Sequence, residues 1–195
     1  MYRLGSRLKV SLLLALLLMV ASVAVASAQA YVTDFVTSIT YQNVGTGDAT
    51  VSFKFYNENS ATSTDLTRTL KQGAGSSLFL GSLTGGEALP NDFLGSAVLS
   101  SDQPIVATLV QVPSSDTVKN RPLSNGFKDA SSKVTIATVL KKLFSTQTTT
   151  VFSIQNASNN AADFKVSIFD AANPAAAPIV INTANVPVGA AKYYD

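Results

Sequence analysis

Between Ala49 and Phe55 the chain alternates apolar and polar residues at every step. Ala49, Val51, Phe53 and Phe55 fall on one side, Thr50, Ser52 and Lys54 on the other. The pattern returns 113 residues later, where Ala162, Phe164, Val166 and Ile168 alternate with Asp163, Lys165 and Ser167. A period of two puts one side-chain set against a core and leaves the other in water, as in a strand covering a core from one side. Helical periodicity is missing from this part of the chain. Further strands are predicted at 35–42, 64–70, 76–81, 96–101, 104–112, 133–140, 148–155 and 179–183. Ser101-Asp102-Gln103 reads as a tight polar turn, with Pro104 at a strand entrance where no ladder N–H is needed. Short strands with turn signals every ~8–12 residues predict an all-β chain of antiparallel β-sandwich type.

The two alternating runs belong to longer copies of one unit. Ile39-Thr40-Tyr41-Gln42-Asn43 recurs as Phe152-Ser153-Ile154-Gln155-Asn156, and Gly73-Ala74 recurs as Gly189-Ala190 with three residues inserted. Repetition on this scale implies tandem modules, and points to a scaffold, binding or assembly role more than to one catalytic cleft. The repeated Gln-Asn pairs invite a ligand-binding reading, but Asn suits left-handed turn geometry and Gln at a strand end can bond nearby backbone. Asn57-Glu58-Asn59 and Asp170-Ala171-Ala172-Asn173 close the matching strands, where Asx turns are expected in preference to metal ligation. Asn156-Ala157-Ser158 has the pattern of a glycosylation sequon, yet it belongs to the repeated turn and is expected to serve it.

The N-terminus has a different character. Arg3, Arg7 and Lys9 precede an apolar run from Val10 to Val25 broken only by Ser11 and Ser22, and Ala26-Ser27-Ala28 follows. This is the pattern of a secretory signal peptide over residues 1–28. The alternative, an uncleaved anchor, needs ~20 apolar residues, and the run falls short of that. Export predicts a secreted or cell-surface protein with no membrane attachment after cleavage. Module 1 is then expected at 29–112 and a partial module 2 at 133–195. Residues 113–132, with Pro113, Pro122 and Asn125-Gly126, read as a linker.

Cleavage changes the charge. The full chain carries 14 bases and 12 acids, net +2; the leader holds three bases and no acid, so the remainder is −1. That balance gives no ground for nucleic-acid binding. Six bases nevertheless cluster within 119–142: Lys119, Arg121, Lys128, Lys133, Lys141 and Lys142, opposed only by Asp129. They form either a patch for an anionic partner, such as a glycan, a lipid headgroup or the acidic face of a neighbouring subunit, or a solvated connector.

The chain has no His and no Cys, which excludes a Ser-His-Asp triad, a thiol nucleophile and nearly every zinc or copper site. It also excludes disulfides, so each module must stand on its own core and sheet hydrogen bonds. The only Ser-x-x-Lys, Ser6 to Lys9, lies in the leader. No carboxylate pair suited to glycoside hydrolysis and no cofactor motif stands out. A non-enzymatic role follows as the expectation. Tyr56 and Phe169, on the wet side of their strands, are the candidate contacts for a sugar or a protein partner.

Several pieces together resemble a class of bacterial secreted Ig-like β-sandwich repeat proteins, abundant in filamentous green non-sulfur bacteria. They are Ser38 to Asn43, Val51 to Tyr56, Gly73-Ala74, Leu89 to Val98, Ser101 to Val106, and Asn125-Gly126-Phe127 followed by Val134 to Lys141. The resemblance spans most of the mature chain, and its motifs are those of packing and turns. It implies tandem Ig-like modules and an extracellular structural, adhesive or matrix role. In such proteins a unit runs on through Leu-Pro-x-x-Phe-x-Gly-Ser and Asp-Gln-Pro-Ile strands, whereas the second copy here stops near the counterpart of Ser76 to Leu80. Either the chain is a fragment of a longer repeat protein, or the open module is closed by something else. The latter predicts strand exchange between subunits through open β-edges. The alternative reading is a secreted carbohydrate-binding module.

Overall fold

The computed structural model describes residues 34–115, 121–143 and 149–195. The leader expected over 1–28 lies outside them. The fold is all β: among the described residues the strands pair antiparallel throughout, and the only helical turns are 3-10 turns at Leu80–Ser82 and Gly85–Glu87.

The first unit is a sandwich of two sheets. One holds β1 (Phe35–Asn43), β4 (Gly75–Phe79), β6 (Ile105–Pro113) and the short β7 (Leu123–Asn125), in the order β4-β1-β6-β7. The other holds β2 (Ala49–Asn57), β3 (Ser63–Leu70) and β5 (Gly95–Ser101), in the order β3-β2-β5. The alternation read from β2 is realised in full, for Ala49, Val51, Phe53 and Phe55 are all buried. They meet Ile39 and Tyr41 of β1, Leu66 and Leu70 of β3, and Leu78 of β4 in one core. The Tyr41 ring stands edge-on to Phe53 at 5.0 Å between centroids, a favoured aromatic geometry. Leu80, Leu83, Leu89 and Phe93, from the loop between β4 and β5, close the core on its flank.

The second unit repeats four of these strands. β8 (Phe152–Gln155) pairs with β11 (Ala191–Tyr194) as β1 pairs with β4, and β9 (Ala162–Ile168) pairs with β10 (Ile179–Val186) as β2 pairs with β3. Its small core is Val186, Ala190, Ala191 and Tyr194, with the Phe152 ring stacked on Tyr194 at 5.4 Å. Thr183 and Tyr194 hydroxyls join the two strand pairs at 3.1 Å.

The predicted strand at 133–140 is not formed. Residues 131–139 are exposed and lie in no strand pair; a local bond joins Ser131 to Lys133, and the end of the segment is tied where the Thr150 N–H donates to the Leu140 carbonyl at 2.8 Å. Its Val, Thr and Ile residues make such a segment fit to be a strand, but a strand exists only beside a neighbour, and this one has none among the described residues. Conversely, β7 lies in the expected linker; three residues are too few to show a period.

Candidate functional site

The repeated Gln-Asn turns are structural. Asn43 is fully buried, and its side-chain amide donates to the Gly47 carbonyl at 2.7 Å and the Lys71 carbonyl at 3.2 Å. Its side-chain oxygen accepts from the Gly45 N–H at 2.9 Å. Asn156 does the same in the second copy, donating to Asn160 and Val186 carbonyls at 2.8 Å and accepting from Ser158. The amide nitrogen that the sequon would glycosylate is therefore buried and already bonded. Gln42 and Gln155 bond the carbonyls of Gly73 and Gly189, two glycines with φ of 73° and 79°. An Asx turn follows the second of the matching strands, where Asp170 accepts from the Ala172 N–H; after the first, the Asn57 side chain accepts instead from the adjacent Glu58 N–H.

Where the copies part company is in what covers them. Ala162, Phe164, Val166 and Ile168 keep the alternation of β2 but are only half-buried. In the first unit the same positions are sealed in part by Ala97 and Leu99 of β5 and Ile105 and Ala107 of β6. Among the described residues the second unit has no counterpart of either strand. Ile179 and Ile181 of β10, on the face such strands would cover, are accordingly exposed.

The sheet edges are equally unequal. Asn156 exchanges backbone hydrogen bonds with Ala190 and Gly189, so Ile154 and Phe152, two and four residues back, also face β11. Ser153 and Gln155 turn their backbone groups the other way, where no described strand pairs with them. On the equivalent side of β1, all nine residues pair with β6, and Val44 continues the line by donating to the Pro104 carbonyl at 2.9 Å.

The far edge of β11 is closed by the first unit. The Asn59 N–H donates to the Ala191 carbonyl at 3.1 Å, and the Tyr193 N–H donates to the Glu58 carboxylate at 3.1 Å. Lys192 Nζ reaches that same carboxylate at 2.7 Å. Partial burial opposes ionisation of Glu58, but the Lys192 and Tyr193 bonds and the Lys192 charge outweigh it and hold its carboxyl below the ordinary range. Tyr193 Oη donates to the Gly95 carbonyl at 2.6 Å, and Ser96 Oγ to the Gly189 carbonyl at 2.7 Å. Gly189 lies flat against the Tyr56 ring; a β-carbon there would come within 2.5 Å of it.

Tyr56 is thus a junction residue as well as a candidate contact, while Phe169, just past β9, is 65% exposed. The two rings make no contact with each other. Of the basic cluster, Lys119 lies outside the described residues. Lys128, Lys133, Lys141 and Lys142 are exposed and take part in no ion pair among the described residues. Arg121 is exposed and has a partner of its own. A shallow recess of about 210 Å³ between β9 and β10 is lined by Asp163, Phe164, Lys165, Asn182, Thr183 and Ala184, a single carboxylate beside a single ammonium.

Sequence reasoning missed the junction. Its one legible signal is a charge difference between copies, Glu58 against Ala171 at the same place after the strand. No family model matches this chain, and no curated protein and no solved structure matches it either.

Proposed function

We propose that this is an exported, non-enzymatic structural or adhesive protein of the cell surface or extracellular space, built from tandem Ig-like modules that assemble through open β-edges. The observation that supports this reading most is the half-covered second unit, with an apolar face and a strand edge presented to solvent. Such edges are templates for strand addition by another chain. The leader-like N-terminus supports export, and the absence of His and Cys from the sequence supports a role without side-chain catalysis.

Size-exclusion chromatography with light scattering over a dilution series tests the reading. Oligomers that form with rising concentration, without added glycan, are expected; a monomer at every concentration overturns it. The exposure of Phe169 favours a second reading, a carbohydrate-binding module. Glycan-array binding that Phe169→Ala abolishes would establish it.

A further inference from the structure

The segment left unpaired before β8 has the sequence of the strand that β8 lacks. Ile136-Ala137-Thr138-Val139-Leu140 matches Val106-Ala107-Thr108-Leu109-Val110 of β6 position by position: aliphatic, Ala, Thr, aliphatic, aliphatic. β6 lies antiparallel to β1, with Val106 opposite Gln42, Ala107 opposite Tyr41, Thr108 opposite Thr40 and Leu109 opposite Ile39. β8 is the second copy of β1, and its corresponding edge is the open one.

Both halves of the missing pair are therefore exposed in the same molecule. Val134 is 76% and Ile136 48% exposed. We infer that residues 134–140 of one copy add to the open edge of β8 in a second copy, in the register of β6. This rests on the assembly reading above and names its donor and acceptor. Ile136 then lies opposite Gln155, Ala137 opposite Ile154, Thr138 opposite Ser153 and Val139 opposite Phe152. Ala137 and Val139 turn toward the half-covered core as Ala107 and Leu109 do, and Ile136 turns outward like Val106, itself 54% exposed in β6.

The chain's own segment does not reach that register. Its end is held by two bonds between Leu140 and Thr150, from the Thr150 N–H to the Leu140 carbonyl and from the Leu140 N–H to the Thr150 hydroxyl. A third, from the Lys142 N–H to the Thr149 hydroxyl, lies beside them. A hairpin continued from Leu140 opposite Thr150 puts Ile136 opposite Ile154, one residue out of the β6 register. A one-residue slip turns every side chain to the wrong face of a sheet. A segment from another molecule has the same bonds to its own Thr150, and none that fixes its register against the β8 it joins. Charge does not oppose the encounter: residues 121–143 hold five bases and one acid, net +4, whereas residues 149–195, which carry β8, hold two bases and three acids, net −1.

A chain without native cysteine allows a clean test. Opposed residues on paired strands stand ~5.5 Å apart at the Cα atoms, within the span of a disulfide. Full-length chains carrying only Thr138→Cys or only Ser153→Cys are mixed and oxidised, beside a Thr135→Cys and Ser153→Cys mixture as the off-register control. Disulfide-linked heterodimer several-fold more abundant for the 138–153 mixture than for the control is expected. A yield no higher than the control overturns the inference. So does a chain carrying both Ala137→Cys and Ser153→Cys that closes on itself as a cross-linked monomer, because β8 is then covered by its own segment. Scattering on the unmodified chain separates the two readings: oligomers without a 138–153 cross-link leave assembly standing and remove this donor, and a monomer removes both.

Discussion

Leu66 and Ile181 occupy one place in the two copies, Leu66 opposite Phe53 on β2 and Ile181 opposite Val166 on β9. Leu66 is 4% exposed and Ile181 37%. Alanine removes the same three carbons from each, so the difference in cost measures the covering alone. At Leu66 the lost transfer energy and an unfilled cavity add up to ~3 kcal/mol, inside the usual range for buried aliphatic truncation. At Ile181 water fills the gap, and only the buried part of the side chain counts, giving ~1.5 kcal/mol at ~0.8 kcal/mol per buried carbon. With a urea slope of ~2 kcal/mol/M the midpoints fall by ~1.5 M and ~0.7 M. Far-UV circular dichroism and tyrosine fluorescence follow unfolding, since the chain has no Trp. The measurement is made on dilute protein, where copies are apart. Equal losses there would refute the reasoning, because Ile181 would then be sealed inside a single molecule.

Replacing Asn43 or Asn156 by Ala strands two or three backbone groups, and each is expected to cost ~2–4 kcal/mol at ~1 kcal/mol per lost bond plus burial, read by the same unfolding curves. Intact-mass analysis after expression in a glycosylating host should find Asn156 of the folded protein unmodified. Gly73→Ala and Gly189→Ala share the strain of a positive φ, ~1–2 kcal/mol, but only Gly189 also has a ring against it, so Gly189→Ala should be the worse of the two in thermal melts. Glu58 titrates below its ordinary value in the folded chain, so its contribution is complete above the unfolded pKa of ~4.3 and is lost as pH falls through the folded one. Hydrogen exchange at the Asn59 and Tyr193 amides, corrected for intrinsic rates, should therefore quicken on acidification below about pH 4, and Glu58→Gln should remove that dependence.

The strands of the sandwich were legible because each declares itself locally. Ala49 to Phe55 and Ala162 to Ile168 state which side is wet, and agreement of phase between copies fixes both. Strand reading overreached at Val134 to Leu140, which is rich in β-branched residues but has no neighbour to pair with among the described residues; composition reports fitness for a strand, not a partner. β7 shows the reverse, a three-residue strand created by the neighbouring β6 rather than by its own sequence. Of the candidate site, the uncovered unit could be read by counting strands in each copy. The junction could not. Gly95 with Tyr193, Ser96 with Gly189 and Glu58 with Lys192 are each more than 90 residues apart in the chain, and contacts of that range leave no local period.

The bonds from Asn59 and Tyr193 that close the far edge of β11 also have a geometric effect on any larger array. A two-stranded sheet free on both sides can be extended from either, and copies of it pile up without order. The β8–β11 sheet has one side stoppered from within its own chain. Addition to it runs one way only, so an assembly built there has a head and a tail, and its growing end differs from its finished one. In the proposed assembly, directionality is thus set inside each molecule.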